Sequence, residues 1–146
     1  MKYKNYVYFL MDYIKRKELF DVIRDIGLSN KFQTQFYGAS IMFAVQYLHE
    51  RKFIYRDIKP ENIMVLGKEF IKLIDFGTAK AINDRTKTII GTPHYMVPEV
   101  ILGEGYSFKV DFLSIAICMY EFMYGGIPFG ENHEEAMDVY LSIINE

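Results

Sequence analysis

The sequence predicts an α+β fold in which helices predominate over a few short strands. Two long segments, one after Asn30 and one from about Val110 to Tyr124, carry apolar residues at helical spacing. Short β-prone runs lie between them. The 146 residues, 51% hydrophobic and 25% charged, allow at most one ordinary domain with a buried core.

The first 50 residues predict one strand and two helices. The aromatic and β-branched run Tyr6–Met11 favours a strand. Residues 17–26 place apolar side chains at helical spacing, and Gly27 ends that pattern. Asn30 is a suitable N-cap for the second helix, with Gln33 completing a capping box.

The rest of the chain predicts short strands followed by helices. Pro93 and Pro98 interrupt the region before the helix from about Val110 to Tyr124, and a final amphipathic segment begins at Glu134. The strand-like runs are Lys52–Tyr55, Ile63–Leu66 and Phe70–Ile74, the last two joined through Gly67.

Composition and charge exclude several classes of protein. A net charge of −2 and a pI near 5.9 argue against a general nucleic-acid binder. The single cysteine, Cys118, cannot form an internal disulfide and suits a reducing compartment. The apolar stretch Phe112–Phe129 contains Glu121 and two glycines, so a buried helix is favoured over a membrane span. We therefore expect a cytoplasmic protein without a signal peptide.

The first predicted strand indicates that the chain is part of a larger domain. Tyr6–Met11 is hydrophobic on both faces and has no earlier strand with which to pair. Complete domains avoid such an apolar edge strand because it promotes aggregation.

Two loops carry the residues that indicate chemistry. Residues 55–62 read YRDIKPEN, and DFG follows at residues 75–77 after one predicted hairpin. Phosphoryl transfer needs this combination: oxygen ligands for Mg²⁺, a carboxylate that orients a hydroxyl, and a cation near the moving phosphoryl group.

The order of the motifs matters more than any one of them. An RD or DFG alone is mostly chance, and its aspartate is then more often a loop cap than a ligand. Loop acids at coincidental spacing therefore remain the alternative to each separate motif. The succession R-D-x-K-x-x-N, D-F-G, G-T-P and P-E is far more specific.

With these motifs the sequence resembles the eukaryotic serine/threonine protein kinases, over essentially the whole chain. It is most similar to the cyclic-nucleotide-dependent branch, nearest to the cGMP-dependent protein kinases. The segments that carry the resemblance are YLHERKFIYRDIKPENIM, LIDFGTAK, GTPHYMVPEV and YEFMYGGIPF.

The resemblance implies a catalytic role for four residues. Asp57 would orient the substrate hydroxyl, and Lys59 would neutralise charge on the transferred γ-phosphate of ATP. Asn62 and Asp75 would hold Mg²⁺. The alternatives are a strand-end cap for Asn62 and a solvated loop cation for Lys59.

The resemblance also implies an adenine pocket. Met11 would be the gatekeeper, the backbone of Asp12 and Ile14 would face the adenine edge, Glu18 would approach the ribose, and Met64 would lie beneath the ring. Periodicity alone would make Met11 and Met64 ordinary core residues.

An activation segment is implied between the DFG motif and Glu99. Thr88 resembles the activating phosphothreonine, with Arg56 and Lys80 as its cationic partners. Thr92 would contact Asp57 and the neighbouring lysine, as suits a serine/threonine kinase.

Three acids occupy positions that, in this branch, select basic residues before the target hydroxyl: Glu18, Glu61 and Glu121. An acid within an apolar helix needs a polar partner. The alternative for Glu121 is therefore a structural acid paired with the backbone or with an arginine.

Some residues depart from the family pattern. Leu113 replaces the usual tryptophan, although Asp111, which braces the catalytic loop in the family, is kept. Arg16 and Lys17 stand where the branch commonly has two glycines. No phosphate-covering G-x-G-x-x-G precedes the hinge.

Taken together, we expect residues 1–146 to form a partial protein kinase domain with a protein-kinase-like fold, truncated to the mainly α-helical C-terminal lobe. The implied function is ATP-dependent phosphorylation of Ser or Thr in basic peptides. Cyclic-nucleotide-binding modules would lie upstream and make the enzyme cGMP-dependent. We expect the isolated chain to be inactive. A non-catalytic kinase-like scaffold or a truncated gene product is the alternative.

Overall fold

The computed structural model describes residues 2–3, 6–67 and 70–145, and helices predominate, as predicted. The ends of the predicted domain, residues 1 and 146, lie outside this range. The helices are α1 (Leu19–Ile26), α2 (Lys31–Glu50), α3 (Pro98–Ile101), α4 (Lys109–Tyr124) and α5 (Ala136–Asn145). The strands are β1 (Lys2–Tyr3), β2 (Tyr6–Val7), β3 (Phe53–Ile54), β4 (Ile63–Leu66), β5 (Phe70–Leu73) and β6 (Lys80–Ala81). Two 3₁₀ turns cover Pro60–Asn62 and Pro93–Tyr95.

The strands form three antiparallel pairs, β1–β2, β3–β6 and β4–β5. The β4–β5 hairpin pairs Ile63 with Leu73, close to the predicted bounds. The pairing of β3 with β6 joins the chain before the YRDIKPEN loop to the chain after the DFG motif. The two loops singled out in the sequence therefore lie beside paired strands.

The predicted strand Tyr6–Met11 is wrong beyond Val7. Phe9 is 82% exposed and Leu10 is fully exposed. A strand needs a neighbour for its backbone hydrogen bonds. Among the described residues only the two-residue strand β1 pairs with this segment, and the pairing ends at Val7.

Helix α2 begins with the predicted capping box. The Asn30 Oδ1 accepts from the Gln33 N–H, and the Gln33 Oε1 accepts from the Asn30 N–H, both at 3.0 Å. The helix packs along α4, which ends at Gly125 in the left-handed conformation (φ +81°). Within the described ranges no helix has the length and apolarity that a bilayer crossing requires.

Two apolar clusters form the core. The first lies between α1, α2, α4 and the β4–β5 hairpin, and the second lies under α3 and the start of α4. The fully buried members of the first cluster include Leu19, Ile41, Val45, Tyr55, Ile58, Ile63, Cys118 and Phe122. The second holds Ile54, Ile82, Met96, Val97, Val100, Tyr106 and Val110. Because Tyr55 and Ile58 belong to the first cluster, their side chains anchor the YRDIKPEN loop in the core.

Candidate active site

A buried carboxylate on α4 fixes the start of the YRDIKPEN loop. Asp111 accepts hydrogen bonds from the backbone N–H of Tyr55 (3.0 Å) and of Arg56 (2.8 Å). Its Oδ2 also lies 2.7 Å from the Nε2 of His49. Arg56 has a φ of +71°, a conformation that non-glycine residues rarely adopt. The two bonds to Asp111 hold this turn and so determine where the next residue, Asp57, lies.

The structure brings four predicted residues into one hydrogen-bonded group around Asp57. The Asn62 amide Nδ2 donates to the Asp57 Oδ2 at 2.8 Å, and the Thr92 hydroxyl donates to the Asp57 Oδ1 at 2.6 Å. The Lys59 ammonium donates to the Thr92 hydroxyl at 2.7 Å and lies 3.4 Å from the Asp57 Oδ2. We call the four residues Asp57, Lys59, Asn62 and Thr92 the Asp57 cluster.

The Asp57 cluster is reachable from solvent, although its side chains are hydrogen-bonded to one another. The Asp57 side chain is 12% exposed and the Lys59 side chain is 23% exposed. Asn62 is buried and donates a second bond to the backbone carbonyl of Asp57 at 2.9 Å. A small hydroxyl group can therefore approach a carboxylate whose orientation is already fixed.

A glycine allows Thr92 to reach this site. Gly91 has a φ of +130°, and a Cβ built there would lie 2.9 Å from the backbone oxygen of Arg56. A side chain would push the two segments apart, so the close approach requires glycine. The following 3₁₀ turn is fixed to α4, since the Ser114 hydroxyl donates to the Tyr95 carbonyl at 2.8 Å.

Asp75 lies beside Asn62 because the backbone joins their segments. The N–H of Ile74 donates to the carbonyl of Asn62 at 2.9 Å. Asp75 itself has a φ of +55°, and its Oδ1 accepts from the Gly77 N–H at 3.0 Å. The Tyr55 hydroxyl donates to the Ile74 carbonyl, and its ring meets that of Phe76 edge-on. The carboxylate of Asp75 is exposed.

Asn62 and Asp75 fit a magnesium ion whose remaining ligands would come from water and a bound substrate. Both hydrogen bonds that described residues make with the Asn62 side chain use Nδ2, and Asp75 presents an exposed carboxylate. Amide and carboxylate oxygens are ligands that Mg²⁺ prefers, usually together with waters and phosphates. The described residues include no group of three or more His, Cys, Asp or Glu side chains suited to hold a metal alone.

The residues expected around adenine are less closely assembled. Met11 is 80% exposed and Asp12 is exposed as well, whereas Met64 is buried in β4. Glu18 is linked to Met64 through an isolated β-bridge. Ile14 lines an open depression of about 590 Å³ together with residues 13, 15, 16, 66 and 72.

In the segment after the DFG motif, the predicted cations lie near Thr88 without binding its hydroxyl. The Lys80 ammonium donates to the Thr86 hydroxyl at 3.0 Å, and the Thr86 and Thr88 hydroxyl oxygens lie 3.5 Å apart. The Arg56 guanidinium instead donates to the Thr78 carbonyl at 2.7 Å. Thr88 is exposed.

Glu121 finds its polar partner in a tyrosine. The Tyr95 hydroxyl donates to the Glu121 Oε2 at 2.7 Å. Burial raises the pKa of Glu121 above its usual range, the Tyr95 hydrogen bond opposes this, and the charge of Glu61 adds to it. Glu61 has one buried carboxylate oxygen without a hydrogen-bond partner. Glu121 lines an apolar pocket of about 410 Å³, together with Pro60 and the cation Arg24.

Sequence reasoning missed two residues that support the site. His49 binds Asp111 and packs against the rings of Phe108 and Phe112 at 4.9 and 5.2 Å. Tyr106 contacts both Arg56 and the segment around Thr88. His49 lies in the quoted segment YLHERKFIYRDIKPENIM, but nothing in the sequence pairs it with Asp111, and Tyr106 lies in none of the quoted segments.

Comparison with known proteins matches the resemblance read from the motifs. Residues 1–145 match the family described as "Protein kinase domain". The chain is 48% identical over 141 residues to the cGMP-dependent protein kinase of Eimeria tenella, and the aligned region covers 97% of the chain and 14% of that protein. It is 48% identical over 143 residues to the cGMP-dependent protein kinase of Plasmodium berghei (98% and 17%). The cAMP-dependent protein kinase catalytic subunit 3 of Drosophila melanogaster is 37% identical over 139 residues (95% and 24%). The chain thus spans 14% to 24% of the length of these curated relatives.

The raised pKa of Glu121 leads to a pH dependence of stability. A carboxyl that binds its proton more tightly when folded stabilises the protein below its unfolded pKa, near 4.5, and loses this contribution as the pH rises through the folded value. We expect Glu121→Gln to flatten the fall in the free energy of unfolding above pH 4.5, measured by urea unfolding. The exposed Glu134→Gln is the matched control. Equal slopes for the wild type and Glu121→Gln would contradict the assignment.

Proposed function

The chain belongs to the protein kinase family, and on this premise we propose that it carries the catalytic core of a serine/threonine protein kinase. The proposed reaction moves the γ-phosphoryl group of ATP to a Ser or Thr hydroxyl in a peptide with preceding basic residues. The observation that carries the proposal is the geometry of the Asp57 cluster. In it, Asn62 and Thr92 orient the Asp57 carboxylate, which lies 3.4 Å from the Lys59 ammonium.

Asp57 is the residue proposed to touch the reacting hydroxyl. Thr92 and Asn62 each donate to one of its oxygens, so the carboxylate is held in one orientation. Asp57 would orient the substrate hydroxyl and take its proton, while the hydroxyl oxygen bonds to the γ-phosphorus and the bond to the β–γ bridging oxygen breaks. Little further covalent work is needed, because positioning and charge stabilisation supply most of the catalysis.

Lys59 is proposed to stabilise the charge on the transferred group. Its ammonium is held by the Thr92 hydroxyl at 2.7 Å, which keeps a positive charge beside the carboxylate. Thr92 therefore links the acid and the cation. A hydroxyl side chain at this position is also small enough to leave room for a Ser or Thr substrate.

Asn62 and Asp75 are the proposed ligands of Mg²⁺. When bound, ATP supplies the phosphoryl group, and Mg²⁺ supplies the positive charge that neutralises the phosphate oxygens. The chain's own part is to present an amide oxygen and an exposed carboxylate from neighbouring segments. Met11, Asp12, Ile14, Glu18 and Met64 are proposed to face the adenosine.

The preference for basic peptides is proposed to come from acidic residues near the Asp57 cluster. Glu61 follows Pro60 in the YRDIKPEN loop and has a buried oxygen without a partner, and Glu121 lies close enough for their charges to interact. An Arg or Lys of a substrate would relieve this repulsion. Glu18 is proposed to take part at the start of α1.

Phosphorylation of Thr88 is proposed to activate the enzyme. Thr88 is exposed, and the Lys80 ammonium is separated from it only by the Thr86 hydroxyl. A phosphate at Thr88 would add about −1.5 to −2 charges and strong acceptors for Lys80 and Arg56.

Regulation by cGMP is proposed from the relatives. The relatives that are 48% identical are named cGMP-dependent protein kinases. We propose that cyclic-nucleotide-binding modules act on this enzyme and that it works in the cytoplasm.

Replacing the proposed base tests the reaction directly. We expect Asp57→Asn, made in the natural full-length protein, to lower kcat for a basic serine peptide by about 100-fold or more, because the carboxylate no longer accepts the hydroxyl proton. Transfer of labelled phosphate from ATP measures this, with the exposed Asp84→Asn as control. Unchanged transfer, or a cellular effect of the protein that survives Asp57→Asn, would favour a scaffold.

The 146 residues alone are expected to be inactive. They contain no glycine-rich phosphate-covering loop before the hinge, and a site that relies on positioning loses much of its rate when one wall is missing. The same labelled-phosphate assay on a polypeptide of these residues should give no turnover above background. Appreciable turnover would show that the described lobe suffices.

A further inference from the structure

Tyr106 connects the catalytic loop to the segment that carries Thr88. It is 3% exposed, and its backbone pairs with Thr86 in both directions, at 2.9 and 3.0 Å. Its hydroxyl donates to the backbone carbonyl of Thr88 and accepts from the Arg56 Nη1 at 3.3 Å. One side chain therefore joins the residue next to Asp57 to the proposed phosphate acceptor.

Arg56 reaches the Thr88 segment through this hydroxyl. Its backbone is held by Asp111 at 2.8 Å and its Nε donates to the Thr78 carbonyl at 2.7 Å. Across the described part of the chain, the hydrogen bonds of Arg56 do not include one to the Thr88 side chain. In the unmodified protein the Tyr106 hydroxyl thus bridges the Arg56 guanidinium and the backbone carbonyl of Thr88.

We propose that Tyr106 is a positioning residue that holds the Thr88 segment against Arg56 before phosphorylation. The inference rests on the proposed activation by phosphorylation of Thr88. A phosphate forms charge-assisted bonds with a guanidinium, and these are about twice as strong as bonds between neutral groups. Once Thr88 is phosphorylated, the direct Arg56–phosphate contact takes over. The hydroxyl then contributes little.

The ring and the hydroxyl of Tyr106 have separable effects. The ring packs in the second apolar cluster with Met96 and Val110, which is a structural role that phenylalanine keeps. Tyr106→Phe removes only the oxygen that joins Arg56 to Thr88. Tyr140 packs on the same cluster, so Tyr140→Phe is a matched control for loss of a tyrosine hydroxyl.

The test compares Tyr106→Phe with the wild type in two forms of the natural full-length protein. One form is phosphorylated on Thr88, and the other has been treated with a phosphatase. We expect the peptide KM of the dephosphorylated variant to rise about fivefold, the effect of one lost hydrogen bond, with the KM for ATP unchanged. In the phosphorylated form the change should stay below about twofold. Tyr140→Phe should change neither form.

Amide hydrogen exchange over residues 86–90 gives a second readout that does not depend on turnover. Exchange there should become faster in the dephosphorylated Tyr106→Phe protein than in the dephosphorylated wild type. If Tyr106→Phe has equal effects in both forms, or none in either, by both readouts, the inference is overturned and the proposed role of Thr88 stands. If the wild type has the same kcat/KM with and without phosphate, the proposed activation fails, and this inference fails with it.

Discussion

The site depends on a buried carboxylate, that of Asp111, whose two oxygens both accept hydrogen bonds. Asp111 is completely buried and meets His49 and two successive backbone N–H groups of the catalytic loop. A buried charge is costly unless such partners surround it, so its place on α4 and the course of the loop are fixed together. The left-handed turn at Arg56 persists because Asp111 accepts hydrogen bonds from the backbone N–H of Tyr55 and from that of Arg56. Asp57 can be presented in one position for this reason.

The residues of the proposed chemistry come together where two distant segments meet. Thr92 lies 35 positions after Asp57, and Gly91 permits the approach because no Cβ intervenes. This contact unites an acid, a cation and a hydroxyl, while the β4–β5 hairpin brings Asp75 beside Asn62. The same meeting of segments joins Arg56 to Tyr106 and the Thr88 region. The proposed positioning of Asp57 and the proposed control by phosphorylation of Thr88 would therefore depend on neighbouring contacts of the same loop.

Local features were predictable from the sequence itself, whereas contacts between distant positions came only from the family resemblance, as for Thr92 with Asp57, or were not predicted at all. The capping box at Asn30 and the bounds of β4 follow from residues a few positions apart. The strand expected over Tyr6–Met11 was wrong beyond Val7, since a strand depends on partners that its own sequence does not encode. The motif predicted that Asp57, Lys59 and Asn62 belong together, and they do lie together. The partnership of His49 with Asp111, 62 positions apart, follows no sequence pattern.

The most direct test of this account is the turnover of Asp111→Asn in the natural full-length protein. Asparagine keeps the shape but turns one acceptor into an N–H donor, so it cannot serve His49 and both backbone N–H groups. With folding checked by urea unfolding, we expect kcat for a basic serine peptide to fall about tenfold or more, with the KM for ATP changed less than about twofold. A folded variant with the kcat of the wild type would contradict the claim that Asp111 positions the catalytic loop.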